Sequence, residues 1–227
     1  MGRRALKKLD PSLDLSGHLL VSRPAPPVLD AAGVPLESKP SSAWDASAVF
    51  GRAAPLEIEV GSGKGLFLVR AAQERPEHNF LGIELAHKYA RHIAARLARA
   101  GLGNARILSG DGLAFFRQLP DDIGLTAVHV YFPDPWWKKR HRKRRVMTET
   151  FVRDIERTLA AGGTLHFWTD VEEYFQETLA LLAAETKLVG PLSVAERPAD
   201  DDLDYRTHFE RRMRMHDLPV YRAEYRK

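Results

Sequence analysis

The run Leu56-Glu57-Ile58-Glu59-Val60-Gly61-Ser62-Gly63-Lys64-Gly65 narrows the possible folds more than any other part of this 227-residue chain. A strand-like segment carrying acids enters a turn with glycine at every second position, and Leu66 to Gln73 then continue with helical apolar spacing. Strand, tight loop and helix in that order open a parallel α/β sheet, and a loop without Cβ atoms lets a ligand approach the backbone closely. The alternation continues downstream. Phe80 to Ile83, Ala105 to Leu108, Leu125 to Phe132 and Thr164 to Trp168 read as strands, and Tyr89 to Ala100, Leu113 to Gln118, Thr148 to Leu159 and Tyr174 to Ala184 as helices. Gly101 marks a helix stop, Pro133 and Pro135 end the fourth strand, and Gly162-Gly163 reads as a turn. Right-handed crossovers then predict an α/β, Rossmann-like, mostly parallel seven-stranded sheet with helices on both faces. Arg197 to Asp204 reads as an acidic loop, and Thr207 to Met215 and Val220 to Tyr225 are expected to supply the closing strands.

Residues 1–48 differ in texture. Pro24, Pro26, Pro27, Pro35 and Pro40 interrupt any sustained period, so this stretch reads as an irregular arm ahead of one folded domain over 49–227. The basic Met1 to Lys8 is followed by no signal-like apolar segment, Leu6 breaks the myristoylation pattern, and no apolar run approaches the ~20 residues of a spanning helix. The expected location is the cytoplasm, with no membrane contact. With no cysteine, disulfides, zinc knuckles and thiolate nucleophiles are excluded, and the nine histidines include no H-x-x-x-H pair, so no metal is expected. Nothing points to an obligatory partner chain, which leaves a monomer or a homodimer.

Three nucleotide-site templates compete for the glycine loop. A Walker loop needs G-x-x-x-x-G-K followed by Ser or Thr, and Gly63-Lys64-Gly65 lacks that spacing. A dinucleotide fingerprint would need a small residue where Leu66 stands. The methyltransferase form of the fold wants an acid before the loop, G-x-G-x-G, and further acids at the next strand ends. Glu59, Gly61, Gly63, Gly65 and Glu84 satisfy it, with Glu57 a second candidate for the first acid, because strand alternation points both the same way. S-adenosylmethionine carries a sulfonium and an amino group but no phosphate, so carboxylates replace the phosphate cradle. Glu84 would then take the ribose hydroxyls, and Asp111, after the third strand, the adenine amino group. For any one of these acids a helix cap or a solvated loop is the plainer reading.

The second cluster follows the fourth strand: Tyr131-Phe132-Pro133-Asp134-Pro135-Trp136-Trp137, then Lys138, Lys139, Arg140, His141, Arg142, Lys143, Arg144 and Arg145. Net charge is +4, yet the eight residues from Lys138 to Arg145 hold seven cations and leave the rest of the chain at −3. A focal cationic patch suits a polyanion, since phosphate contacts gain free energy by releasing counterions. Aromatic planes beside it suit a base exposed from a single-stranded or looped RNA; core packing beneath the loop is the alternative reading for at least one of Trp136 and Trp137.

Taken together, Ile58 to Gly65, Gly82-Ile83-Glu84, Phe132 to Trp136 with Lys138, Arg140-His141 and Lys143-Arg144-Arg145, then Thr169-Asp170 and Thr207-x-Phe209-Glu210, resemble the tRNA (guanine-N7-)-methyltransferase family over about residues 48–227. The resemblance implies a class I fold, S-adenosylmethionine as cofactor and tRNA as partner, with methylation of the variable-loop guanine numbered 46. It implies cofactor contacts at Glu59, Glu84, Asp111 and Asp134, and substrate contacts at Lys138, Asp170 and the segment Thr207, His208, Phe209, Glu210. The arm carries no motif of the family.

Guanine N7 already presents an in-plane lone pair, so such a reaction needs placement and charge stabilisation rather than a general base. Asp134 is the candidate for stabilising charge on the base, with Asp170 assisting at the base edge. An exocyclic-amine methyltransferase would carry Asn or Asp followed by two prolines and an aromatic, whereas here one proline follows Asp134. A non-catalytic RNA-binding module is the alternative from another class, and the retained acids Glu59, Glu84, Asp111 and Asp134 argue against it.

Overall fold

The computed structural model describes residues 6, 9–21, 44–194 and 207–227. The proline-rich part of the arm and the acidic stretch Arg197 to Asp204 lie outside the described residues. Among the described residues eight strands and seven α-helices alternate: β1 Leu19–Val21, α1 Ala46–Phe50, β2 Leu56–Val60, α2 Leu66–Glu74, β3 Asn79–Glu84, α3 His87–Arg99, β4 Ala105–Ser109, α4 Gly112–Gln118, β5 Leu125–Tyr131, α5 Glu149–Thr158, β6 Leu159–Thr169, α6 Glu172–Glu185, β7 Val189–Leu192, α7 His208–Met215 and β8 Tyr221–Arg226. A 3₁₀ segment, Lys139–Arg144, lies between β5 and α5.

The sheet order is β1-β4-β3-β2-β5-β6-β8-β7. Every pairing is parallel except those of β8, which runs antiparallel to β6 and β7. Strand alternation divides the core in two. Ile58, Leu81, Ile83, Leu108 and Val128 join Phe116 of α4, Phe151, Val152 and Ile155 of α5, and Tyr174 of α6 on one face. Phe80 and Ile107 join Phe67 and Leu68 of α2 and Ile93 and Leu97 of α3 on the other. Helices therefore cover both faces, as near-continuous apolar parallel strands require. The chain builds outward from β2 through β3 to β4 and then returns to β5 beside β2. This reversal opens a crevice beyond the C-terminal strand ends, where Glu59, Glu84, Asp111, Asp134 and Asp170 all fall.

Four expectations differ from the structure. The sheet has eight strands rather than seven, because Leu19–Val21 of the supposedly irregular arm pairs in parallel with β4, Leu19 opposite Ile107 and Val21 opposite Ser109. Thr207 to Met215 forms a helix, not a strand: Thr207 caps it, its Oγ1 accepting from the Glu210 amide at 2.9 Å. The strand that completes that edge is Val189–Leu192. The Gly162-Gly163 turn lies inside β6 as an irregularity, the register passing from Leu125 opposite Leu159 to Ala127 opposite Thr164. The expected arm boundary at residue 48 also falls within α1.

Candidate active site

The glycine loop is tied to the neighbouring strand by its own backbone. The Gly61 and Ser62 amides donate to Ile83 O at 2.9 and 3.1 Å, and the Gly65 amide donates to Ser62 O at 2.7 Å. Gly61 and Gly63 adopt φ of 85° and 56°, a region L side chains rarely enter, and the space where a Cβ would stand is open at both. Ligand access to this backbone is therefore unobstructed.

Glu84 closes the other side. Its Oε2 accepts from the Gly63 amide at 2.8 Å and its Oε1 from the Ala86 amide at 2.9 Å. Since each carboxylate oxygen has two lone pairs, the anchored group still has acceptor capacity for hydroxyls. Asp111 caps α4 through Oδ1, which accepts from Leu113 and Ala114 at 2.9 and 3.3 Å, and the side chain is exposed at the mouth of the crevice. The helix-capping reading therefore holds for this acid, and the cap uses one oxygen only.

The two acids of β2 have different roles. Glu57 sits in a buried polar network: His129 Nε2 at 2.7 Å, His78 Nδ1 at 2.8 Å and the Arg75 guanidinium, while His129 Nδ1 reaches the Tyr131 hydroxyl at 2.9 Å. Burial alone would raise its carboxyl, but His129, Arg75 and His78 outweigh that and hold it at about 2. Glu59 is also buried, but its Oε2 has no hydrogen-bond partner among the described residues. Burial pushes this carboxyl up to about 7, Glu84 adding to the rise and the nearby Ser62 hydroxyl only tempering it. A buried carboxylate with one oxygen left without a partner, beside open glycine backbone, fits a ligand that brings a positive charge or strong donors, as S-adenosylmethionine does.

Asp134 is exposed at the end of β5, between two non-glycine residues in the left-handed region, Phe132 at φ 49° and Trp136 at φ 46°. Each such residue costs on the order of 1–3 kcal/mol and persists only where its surroundings hold it. The Phe132 amide donates to Trp168 O at 2.8 Å, and the Phe132 ring lies 4.9 Å from that of Phe209 on α7. Thr207, Phe209 and Glu210 are thus brought to the Asp134 loop. Within that segment Glu210 is buried and held by Arg222 at 3.4 Å and Arg214 at 3.7 Å. The His208 side chain lies outside the described residues. Asp170, directly after β6, is half-buried; burial raises its carboxyl and the Arg212 charge opposes the rise.

The basic run is not uniform. Lys138, Arg140, Lys143 and Arg144 are exposed, with the Arg144 guanidinium 5.1 Å over the Trp136 ring and His141 edge-on to that ring at 5.9 Å. Trp137 is 64% exposed, so the core reading fails for it. Arg142, by contrast, pairs with Glu173 and Glu177 of α6, and Arg145 is buried against Glu177 and Tyr174. The sequence reading missed this acidic pair, although two glutamates four apart on a helix were a visible signal.

This topology, with a glycine loop after β2 and acids at successive strand ends, belongs to the class I S-adenosylmethionine-dependent methyltransferases. Solved structures agree in fold. A 16S rRNA methyltransferase, KamB, matches with a TM-score of 0.56 at 18% identity, over 82% of this chain and 94% of that one. A precorrin-6y methyltransferase from Geobacter metallireducens matches with a TM-score of 0.52 at 14% identity, over 84% and 94%. Residues 53–223 match a family described as putative methyltransferase. Among curated proteins, a tRNA (guanine-N(7)-)-methyltransferase of Rhodopirellula baltica is 46% identical over all of this chain and 80% of its own length. One from Sodalis glossinidius is 37% identical over 80% and 75%. The chain belongs to the tRNA (guanine-N(7)-)-methyltransferase family.

Proposed function

We propose that the chain transfers a methyl group from S-adenosylmethionine to N7 of the guanine at position 46, in the variable loop of tRNA. The observation that carries this reading is the juxtaposition at one sheet reversal of a buried Glu59 with an unpartnered oxygen and an exposed Asp134 flanked by Trp136, Trp137 and exposed cations. The names of the relatives support the substrate. Residues 49–227 carry the chemistry, the enzyme acts in the cytoplasm as a monomer or homodimer, and no metal takes part.

Glu59, Glu84 and Asp111, with the backbone of Gly61 and Gly63, would hold the cofactor, which when bound supplies an electrophilic methyl on a sulfonium. These residues would aim that methyl at the in-plane lone pair of guanine N7, which would take it in exchange for its bond to sulfur. No proton is removed, so Asp134 acts by charge: it stabilises the positive charge that develops on the imidazole ring of the base. Asp170 and Lys138 orient the base and its backbone, while Trp136, Arg140, Lys143 and Arg144 hold the RNA. Glu57 belongs to the internal network and is not a cofactor ligand.

The test is incubation of the full chain with bulk tRNA and methyl-labelled cofactor, followed by digestion and localisation of the label. N7-methylguanosine at position 46 is expected. Label at another atom or in another loop would overturn the reading, and no cofactor binding at all would favour a pure RNA binder.

A further inference from the structure

Arg145, the last residue of the basic run, turns inward. Its Nε donates to Pro135 O at 2.8 Å, its guanidinium lies 4.5 Å over the Tyr174 ring, and Nη1 pairs with Glu177. The second oxygen of Glu177 accepts from Arg142 Nη1 at 2.8 Å, and Arg142 also pairs with Glu173. The Tyr174 hydroxyl accepts from the Met147 amide at 3.2 Å, joining α6 to the chain just after the run. Pro135 directly follows Asp134, and the segment from Phe132 to Trp136 has a left-handed residue at each end. Such a segment keeps its shape only where it is held on both sides. Trp168 and Phe209 hold the Phe132 end. The Pro135 carbonyl is held by Arg145. A buried guanidinium already paired with a carboxylate cannot release counterions on meeting a phosphate, because its charge is compensated before RNA arrives.

We propose that Glu177 and Arg145 are positioning residues, forming a strut from α6 to the Pro135 carbonyl that fixes Asp134, and that the buried Arg145 is not a phosphate ligand. The exposed cations of the run that face the RNA are then Lys138, Arg140, Lys143 and Arg144. The proposal rests on Asp134 acting on the base. It converts a run that looks like one phosphate-binding strip into two functional halves.

The test uses the full chain with Glu177→Gln, which keeps the side-chain shape, Arg145→Ala and the double variant. Three quantities are measured: methylation at saturating tRNA and cofactor, tRNA Kd at several salt concentrations, and amide hydrogen exchange over residues 132–138 without substrate. Each single variant is expected to lower kcat by roughly 10- to 100-fold, as a misplaced reacting group does. tRNA Kd should stay within about twofold with an unchanged salt slope, and the double variant should be no worse than the poorer single one. Exchange over 132–138 should rise in Glu177→Gln. Weaker tRNA binding with a shallower salt slope and an undiminished kcat would make Arg145 a phosphate ligand and overturn the proposal. Unchanged exchange in Glu177→Gln would overturn it as well. The exchange readout needs no RNA, so the strut is judged even if the guanine assignment fails.

Discussion

Glu57 and Glu59 stand two residues apart on β2, yet their surroundings give them opposite protonation behaviour. Glu57, held at about 2 against an ordinary 4.5, contributes stability that is present above pH 4.5 and lost as the pH falls toward 2. Breaking its network is costly because His129 is left buried and uncompensated, so Glu57→Ala should lower unfolding free energy by about 3–5 kcal/mol in urea melts. Glu59, raised to about 7, has the reverse sign: its unfolded form ionises above pH 4.5 while the folded form resists, so cofactor-free stability declines between pH 4.5 and 7. Glu59→Gln should remove that decline and stabilise the cofactor-free protein at pH 8 by about 2–3 kcal/mol, while weakening cofactor binding. Calorimetric titration of the wild type should show cofactor affinity falling as the pH drops through 7, by at most roughly tenfold per pH unit, because a protonated Glu59 offers no charge. A pH-independent affinity between 6 and 8 would remove Glu59 from the cofactor site. For Asp134→Ala, single-turnover methylation should fall by roughly 10²–10³ with an unchanged melting temperature, the size seen when one preorganised charge-stabilising group is lost.

At the scale of elements, the 3₁₀ segment after Lys138 decides which cations face outward. Arg144→Ala should weaken tRNA binding and reduce the salt slope by about one, since an exposed guanidinium over Trp136 is lost; an identical slope would show that it touches no phosphate. The strands from β2 to β6 and helix α3 were legible in the sequence, because their apolar periods and glycine stops are local properties. Helix α7 was not. Its apolar positions suit either period, and the capping geometry of Thr207 with the packing of Phe209 on Phe132 selects the helix. Nor did eight consecutive residues with seven cations reveal which of them turn inward, since that depends on Glu173 and Glu177, some thirty positions away.

Across the whole molecule, the arm contributes to the sheet. β1 covers what would otherwise be the open edge of β4, and Leu15 and Leu19 pack against the core under α2 and α3. Deleting residues 1–21 should lower Tm by roughly 5 °C and promote association through the uncovered edge, with methyl transfer retained below the melt; an unchanged Tm would mean that the strand is ornamental. The sequence by itself determined the α/β alternation, the glycine loop and the strand-end acids, because each follows from residues adjacent along the chain. It also carried the family resemblance, through motifs that lie at strand ends. Tertiary structure alone decided that Glu57 is held in a buried network while Glu59 keeps a buried oxygen without a partner among the described residues, that the basic run divides between exposed cations and ones paired with α6, and that a short apolar piece of the arm is a strand. Each of these depends on partners far away in sequence, whose proximity arises only when the sheet closes and water is excluded between its layers.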